Sequence, residues 1–218
     1  MAAHAWVVSE QVRRLLSLES VQPERHVAAQ VARRRLAVLQ RHGLIAHGTL
    51  RLFGTPLSAY WLTRKGATVV NVAIAAGGVD VRQLHHDAAD ADVHLALLAH
   101  GATEIWTARI LASARGRGAL PDGLVAPLGG RHVHIPDLIA RFDGQRQLAY
   151  EIEMSRKTPQ RLAEIMRAYR QARAPDEVWY LAPDAARARA LTEAALGVSE
   201  VSVALLRHTV PVPSWPAG

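Results

Sequence analysis

The segment from Gln147 to Ser155 alternates apolar and polar side chains, which is the pattern of a β-strand with two unlike faces. The apolar face carries Leu148, Tyr150, Ile152 and Met154, and the other face carries Glu151, Glu153 and Ser155. Neighbouring carboxylates on one face repel each other unless a cation or a basic side chain lies between them. The pattern therefore indicates an apolar core on one side of this strand and singles out the two acids on the other side as candidate site residues.

An Asp-Gly pair at 143–144 marks a turn that joins this strand to an earlier one, predicted over 133–142, which carries Asp137. The length of the turn decides where Asp137 lies, because side chains alternate along a strand. A two-residue turn pairs Asp137 with Tyr150 and sends it to the face opposite Glu151. A three-residue loop, with the glycine in the left-handed position, places Asp137 on the face of Glu151, one diagonal step away. We predict the three-residue loop.

In that register Asp137, Glu151 and Glu153 are predicted to converge on a hard divalent cation, Mg²⁺ or Mn²⁺, because such ions prefer carboxylate and water oxygens. These three acids are the candidate metal ligands and also candidate catalytic residues. The cation would activate a water and stabilise the negative charge that develops on a phosphodiester. The alternative is a solvated sheet face whose acids are balanced by a nearby arginine, Arg141, Arg156 or Arg161.

Lys157 is a supporting catalytic candidate. It lies about 13 Å from Glu153 along an extended chain, at roughly 3.3 Å per residue. Its ammonium group reaches the acids only if the helix that is predicted to begin at Thr158 folds the chain back.

The positive charge of the chain is concentrated in its first third. Residues 1–76 contain ten basic and three acidic residues, whereas residues 77–218 contain sixteen of each. A basic face gains affinity for a polyanion by releasing the counterions condensed on phosphates, so nucleic acid is the predicted partner of the first part. The run Ala75-Ala76-Gly77-Gly78 separates the two parts. We predict domains over 1–76 and 80–210, followed by a tail over 211–218.

Composition and hydropathy exclude several classes of protein. The chain has no cysteine, which excludes disulfides and cysteine-based zinc sites and favours a reducing cytoplasm. No apolar run reaches the roughly 18 to 20 residues of a membrane span, and the N-terminal residues lack a signal-peptide pattern. The histidine pairs at 85–86 and at His132 and His134 lack a third ligand at zinc spacing. We therefore expect a cytoplasmic protein without a membrane partner.

The first third is predicted to form a helix, a second helix, a hairpin and a final helix. Ser9 caps the first helix, and Pro23 opens a longer one that runs to His42 and stops at Gly43. Short strands follow on both sides of a Gly-Thr-Pro turn, and Thr63 caps the last helix. The long helix has apolar side chains near one face, which we predict to be buried: Val27, Val31, Val38 and Leu39.

The same helix carries three consecutive arginines, 33–35, which sweep about 200° around its axis, so at least one of them points away from the core. The run Arg35-Leu-(x)2-Leu39-(x)3-Gly43 and the later run over 60–66 resemble the recognition helix, wing and closing strand of bacterial winged-helix DNA-binding proteins. The resemblance implies duplex DNA as the partner. The candidate DNA-binding residues are Arg25, Arg33, Arg34, Arg35, Arg41, Arg51, Arg64 and Lys65. The alternative is a winged helix used for protein contacts, whose arginines are only a solvated face.

From Asp80 onwards the pattern is mixed α/β. Strands are predicted over 104–111, 133–142, 147–155, 178–181 and 201–206, and helices over 87–100, 158–173 and 184–196. A glycine-rich stretch over 113–131 is predicted to be a long loop. Strands and helices in this order argue for a central mixed sheet that is covered by helices.

The hairpin with Pro136-Asp137 and Glu151, together with the helices and strands around it, resembles the PD-(D/E)xK nuclease superfamily. The chain departs from that pattern at Glu153, where the superfamily usually has lysine, although some of its restriction enzymes have Glu-x-Glu. With the first part included, residues 10–182 resemble the replication-relaxation family of plasmids and other mobile elements. The resemblance implies an α+β protein, with an N-terminal winged helix-turn-helix followed by a mixed α/β restriction-endonuclease-like domain.

The predicted function is that of a DNA-binding protein of mobile elements with a metal-dependent endonuclease site, acting in plasmid replication or mobilisation. The alternative is a regulator or mobilisation accessory protein that does not cut DNA and uses the same sheet as a platform for partners. A second copy of the chain, forming a homodimer, is a candidate partner in both cases.

Overall fold

The computed structural model describes residues 4, 6–18, 29–52, 55–71, 83–120, 124–129, 132–143, 146–155, 157–171, 175–198 and 201–206. The chain divides into two compact units, Met1–Leu95 and Ala96–Gly218. Both units combine helices and strands, so the predicted mixture of α and β structure is confirmed. None of the helices in the described ranges is long and apolar enough to cross a membrane.

The first unit has a three-stranded antiparallel sheet. Its elements are β1 (Val7–Val8), α1 (Ser9–Leu18), α2 (Ala29–Arg41), β2 (Ile45–Leu52), β3 (Thr55–Leu62), α3 (Arg64–Val69) and the larger part of α4 (Leu84–Ala99). The strand order is β1-β3-β2. The predicted order of helix, helix, hairpin and helix is confirmed, although the strands of the hairpin are longer than predicted. Pro23 and Val27 lie outside the described residues.

Two helix boundaries lie where local sequence signals predicted them, namely the end of α2 and the beginning of α3. Gly43 follows α2 with a φ of 68°, the left-handed conformation that glycine adopts without a steric penalty. The side chain of Thr63 accepts a hydrogen bond from the backbone nitrogen of Gly66 at 3.0 Å and so caps α3. Both signals act within a few residues, which is why the sequence reveals them.

The buried face of α2 is not the one that the sequence predicted. Ala32 and Leu36 are buried, and Leu36 lies in a cluster with Ile45 and Tyr60. The valines and the leucine that we predicted to be buried are exposed: Val31 by 41%, Val38 by 41% and Leu39 by 37%. The prediction was wrong because the packing against the hairpin selects the i, i+4 pair Ala32 and Leu36, and periodicity alone does not choose between two overlapping apolar stripes.

Helix α4 packs within the first unit over most of its length. The indole nitrogen of Trp6 donates a hydrogen bond to Asp87 at 3.1 Å, and the side-chain nitrogen of Gln11 donates one to the backbone oxygen of Ala88 at 3.2 Å. Trp6, Ala88 and Leu84 also share one buried cluster. The division between the units therefore falls inside α4, later than the predicted break at 75–78, which lies outside the described residues.

The second unit contains a five-stranded mixed sheet. Its elements are β4 (Glu104–Thr107), α5 (Ala108–Gly116), β5 (Ala126–Gly129), β6 (His132–His134), β7 (Leu138–Arg141), β8 (Gln147–Ile152), α6 (Pro159–Gln171), β9 (Glu177–Ala182), α7 (Ala185–Ala194) and β10 (Val201–Leu205). The strand order is β10-β9-β8-β7-β4, and β5 pairs with β6 in a separate ribbon. The pairs β10-β9 and β9-β8 are parallel, while β8-β7 and β7-β4 are antiparallel. The predicted mixed sheet is confirmed.

Three predicted segments are divided differently in the structure. The strand predicted over 104–111 ends at Thr107, whose side chain accepts a hydrogen bond from the backbone nitrogen of Ile110 and caps α5. The loop predicted over 113–131 contains the end of α5 and all of β5. The strand predicted over 133–142 is interrupted near Pro136, which has no backbone N–H to continue a ladder.

The β7-β8 hairpin has a longer loop than predicted. Leu138 pairs with Tyr150 and Arg141 with Gln147, so the loop spans 142–146 and is two residues longer than the three-residue loop that we expected. Because side chains alternate with a period of two, a shift of two residues leaves Asp137 on the same side as Glu151. The loop length was wrong, while the face predicted for Asp137 follows from the observed register.

Candidate functional site

The acidic face of β8 is covered by protein rather than by water. Glu151 and Glu153 are each only 2% exposed. The same face carries Ala149, which is buried together with Ile165 and Met166 of α6. The alternative prediction of a solvated sheet face is therefore wrong, because α6 lies over these acids.

Two of the three arginines that we proposed as balancing charges have other partners. Arg141 pairs with Glu104 at 2.9 Å, and Arg161 pairs with Glu164 at 2.7 Å. Arg156 lies outside the described residues. Of the side chains that compensate the buried glutamates, the sequence indicated only Lys157.

Glu151 is held by a histidine and a tyrosine. The Nε2 atom of His134 lies 2.6 Å from Oε1 of Glu151, and the hydroxyl of Tyr169 in α6 donates a hydrogen bond to the same oxygen. Burial raises the pKa of Glu151, and the nearby charge of Asp137 raises it further, while the bonds from His134 and Tyr169 act in the opposite direction. Glu151 is therefore a buried acid that is satisfied inside the protein.

Glu153 has a different set of partners. Its Oε2 atom forms an ion pair with the ammonium group of Lys157. Its Oε1 atom is buried and has no hydrogen-bond partner among the described residues, and the nearest guanidinium nitrogen, Nη1 of Arg187, lies 4.0 Å away. A buried carboxylate oxygen without a hydrogen bond destabilises the folded state, so a ligand that donates a hydrogen bond to this oxygen would be bound favourably.

The contact of Lys157 with Glu153 shows that the chain folds back after β8. The backbone nitrogen of Met154 donates to the oxygen of Ile152 at 3.0 Å, which turns the chain directly after the strand. The predicted separation of about 13 Å applied to an extended chain only. The structure thus brings Lys157 to the acidic cluster.

Asp137 and Tyr180 complete the cluster. One carboxylate oxygen of Asp137 accepts a hydrogen bond from the backbone nitrogen of Ile152 at 2.7 Å. Tyr180 pairs with Glu151 in the β8-β9 register, and its buried hydroxyl has no hydrogen-bond partner in the described part of the chain. Burial raises the pKa of Tyr180, and the charges of Glu151, Glu153 and Asp137 raise it further. The charges of all three predicted acids therefore disfavour ionisation of the same buried hydroxyl group.

These residues have the oxygen atoms that a divalent cation prefers, but they are not arranged as a set of metal ligands. Carboxylate oxygens are suitable ligands for Mg²⁺ or Mn²⁺, and Oε1 of Glu153 is a buried acceptor without a hydrogen bond. Within the described ranges, however, no three His, Asp or Glu side chains are grouped so that they could hold a metal ion. Glu151 is occupied by His134 and Tyr169, and Glu153 by Lys157.

A cleft of about 490 Å³ opens beside Glu153. Its polar wall includes Lys157, Asp184 and Arg187, and its apolar wall includes Leu162 and Leu191. A pocket of this volume with a few converging polar groups is typical of a ligand site. The cleft gives Glu153 and Lys157 a route to a bound molecule.

The first unit presents a surface of exposed arginines. Six candidate DNA-binding arginines are exposed: Arg33, Arg34, Arg35, Arg41, Arg51 and Arg64. In the described part of the chain none of them has an ion pair or a side-chain hydrogen bond. The ammonium group of Lys65 donates to the backbone oxygen of His42 at 2.9 Å, and Arg25 lies outside the described residues.

Other arginines of the same unit are paired. Arg13 pairs with Glu10, and Arg14 with Asp92 at 2.8 Å. Among the described residues of the unit, the arginines without a partner therefore lie in α2, the hairpin and α3.

Sequence reasoning missed four residues of the acidic cluster: His134, Tyr169, Tyr180 and Arg187. His134 was considered only as a zinc ligand, and it was set aside for want of a third ligand. The buried acids did signal that partners must exist, because a buried charge needs compensation. Nothing in the spacing indicated which side chains would supply it.

Comparison with known proteins gives one family. The family model described as replication-relaxation matches residues 1–183. The match spans the first unit and the second unit through β9. No curated protein and no solved structure matched the chain.

Proposed function

The chain belongs to the replication-relaxation family, and we propose that it binds duplex DNA through its first unit during the replication or mobilisation of a plasmid or another mobile element. We assign the first unit as a winged helix, with α2 and the β2-β3 hairpin facing the DNA. The order of its elements and the antiparallel β1-β3-β2 sheet support this assignment.

One observation carries the proposal: the exposed arginines of α2, the hairpin and α3 have no acidic partner in the described ranges. An exposed guanidinium group without a partner can contact a phosphate without breaking an ion pair, and the contact releases a condensed counterion. Arg13 and Arg14 are paired in the same unit, so the absence of partners does not extend to all of its described arginines. A protein-docking surface would be expected to carry a mixture of charges and more apolar area.

The salt dependence of binding tests the proposal. Fluorescence anisotropy with the full chain and a duplex of about 30 base pairs, at about 50 to 300 mM KCl, gives the slope of log K against log salt concentration. We expect a steep negative slope of about 0.9 for each phosphate that is neutralised. The double variant Arg34→Gln with Arg35→Gln should reduce the slope by up to about 2.

The matched control is the double variant Arg167→Gln with Arg170→Gln on α6, which removes the same charge from the second unit. We expect its slope to equal that of the unchanged protein. Binding that does not depend on salt, or an equal loss in both double variants, would overturn the proposal.

A second candidate function is phosphodiester cleavage in the second unit, which we assign as nuclease-like. It is favoured by Lys157, which folds onto Glu153, and by the unpartnered buried oxygen of Glu153 at the edge of a cleft. The described residues offer no group of three metal ligands, so Asp137, Glu151 and Glu153 would hold Mg²⁺ or Mn²⁺ only if Glu151 were released from His134 and Tyr169.

Two measurements on the full chain decide this candidate. Nicking of a supercoiled plasmid in Mg²⁺ or Mn²⁺ should be abolished by Asp137→Ala and by Glu151→Ala. Mn²⁺ binding, followed by electron paramagnetic resonance without DNA, should weaken in the same variants. Absence of both nicking and Mn²⁺ binding leaves the alternative, a DNA-binding regulator or mobilisation accessory protein with an inactive nuclease-like unit.

A further inference from the structure

Helix α2 presents a stripe in which valines alternate with arginines. Val31, Arg34, Arg35, Val38 and Arg41 lie at positions i, i+3, i+4, i+7 and i+10, which form one face of an α-helix. All five side chains are exposed, and the two valines are exposed by 41% each. The opposite face holds the buried residues of the helix. We call this set the Val-Arg stripe.

The composition of the stripe restricts the partner that can cover it. Its three arginines are unpaired, and α2 contains no acidic residue. The partner must therefore supply negative potential along the whole helix. It must also supply apolar groups opposite the valines, because water in contact with exposed methyl groups is displaced favourably. A phosphate surface alone meets only the first requirement.

The major groove of DNA meets both requirements. It is wide enough to admit an α-helix, it lies between two rows of phosphates, and each thymine presents a C5-methyl group there. Arginine pairs with the guanine edge in the same groove. The two valines are seven residues apart, about 10.5 Å along the helix axis, which matches about three base-pair steps.

We propose that Val31 and Val38 select the DNA site of this protein by contacting thymine methyl groups in the major groove. This inference rests on the proposed binding of duplex DNA and adds the feature of the DNA that is recognised. The arginines of the stripe provide affinity, and the valines provide the preference for thymine at two positions about three base pairs apart.

Removal of thymine methyl groups tests the proposal without changing the protein. A preferred duplex is selected from a random pool with the full chain, and its thymines are then replaced by deoxyuridine, which lacks only the C5-methyl group. Burial of one methyl group contributes about 0.8 kcal/mol, so we expect about a fourfold weaker affinity for each contacted methyl group. The double variant Val31→Ala with Val38→Ala should bind both duplexes with the same affinity.

Two valines outside the stripe give a matched control. Val69 and Val70, at the end of α3, are exposed by 67% and 44%. The double variant Val69→Ala with Val70→Ala should keep the full effect of deoxyuridine. Retention of the effect in the stripe variant, or its loss in the control, would show that other residues contact the methyl groups.

The outcomes separate this inference from the proposed function. Salt-dependent binding of duplex DNA by the unchanged protein, with equal affinity for the thymine and deoxyuridine duplexes, overturns the role of the valines and leaves DNA binding intact. Failure to bind any duplex overturns both. Selection of a site without thymine also overturns the inference.

Discussion

Helices α2 and α6 have the same length and similar compositions, but they occupy different environments. Each contains thirteen residues, and both are rich in arginine. In α6 five side chains are buried, Leu162, Ile165, Met166, Ala168 and Tyr169, whereas in α2 only Ala32 and Leu36 are buried. The difference shows that an amphipathic sequence does not by itself determine how much of the helix surface is buried in the folded protein.

The two helices also differ in whether their charged side chains have partners. In α6 the acidic residue Glu164 pairs with Arg161, and Tyr169 reaches inward to the buried Glu151. In α2 no acidic residue is present, and its arginines have no partners in the described ranges. Part of the polar surface of α6 therefore takes part in contacts of the folded protein, whereas no charged side chain of α2 is paired in the described ranges.

Truncation of apolar side chains should give the largest contrast. Ile165→Ala in α6 is expected to lower the free energy of unfolding of the second unit by about 2 to 5 kcal/mol, because it leaves a cavity in the core. Val38→Ala in α2 should change stability by less than about 0.5 kcal/mol, because Val38 is exposed and alanine favours a helix more than valine does. Urea denaturation followed by circular dichroism measures both. Equal losses would show that the helices are covered alike.

Removal of the hydroxyl of Tyr169 should have the next largest effect. Tyr169→Phe is expected to cost about 1 to 3 kcal/mol, because a buried carboxylate loses a donor. The matched control is Tyr180→Phe, which removes a buried hydroxyl that has no hydrogen-bond partner in the described residues. We expect the control to be neutral or slightly stabilising in the same denaturation experiment. A larger loss in the control than in Tyr169→Phe contradicts the contacts of Glu151.

The pH dependence of stability should reveal the burial of Glu151. Its pKa is raised in the folded protein, mainly by burial, above the value of about 4.5 expected for the unfolded chain. The folded state therefore binds the proton more tightly. This tighter proton binding by Glu151 contributes fully to the free energy of unfolding below pH 4.5, and the contribution is lost as the pH rises through the raised pKa.

Glu151→Gln should remove this contribution. The stability difference between the variant and the unchanged protein should vary with pH by at most about 1.4 kcal/mol per pH unit, and only above pH 4.5. Glu164→Gln on the exposed side of α6 should show no such trend. Parallel stability curves for the unchanged protein and Glu151→Gln would contradict the raised pKa.

The smallest effect is expected for the exposed charges. Arg161→Gln should lower stability by less than about 0.5 kcal/mol, because its pair with Glu164 is solvated on both sides. Arg34→Gln should have no measurable effect on stability, because no pair is lost. The two variants should differ in DNA binding, where only Arg34→Gln reduces the salt slope. A loss above 1 kcal/mol for Arg34→Gln would show a structural role, which the proposed DNA surface does not require.

Element order and helix boundaries could be predicted because their causes are local. Gly43 ends α2 and Thr63 caps α3 through contacts within a few residues. Asp184 caps α7 in the same way, by accepting a hydrogen bond from the backbone nitrogen of Arg187. The breaks near Thr107 and Pro136 were missed, although both residues carry a local signal.

The acidic cluster was predictable in part. The period of two along β8 placed Glu151 and Glu153 on one face, and the register of the hairpin kept Asp137 on that side even though the loop was two residues longer than predicted. Lys157, the ion-pair partner of Glu153, is the compensating side chain that the sequence indicated. The others, His134, Tyr169 and Arg187, come from β6, α6 and α7, and no rule of spacing connects those elements to β8. Their positions depend on how the chain returns to the sheet.

The sequence by itself determined the order of the main helices and strands, which side chains alternate along β8, and where the positive charge lies, because each depends on neighbours along the chain. Only the tertiary structure decided that α6 covers the acids while the Val-Arg stripe of α2 is exposed. Burial depends on which surfaces the fold brings together, and two helices with the same periodic pattern differ in burial whenever different surfaces lie beside them.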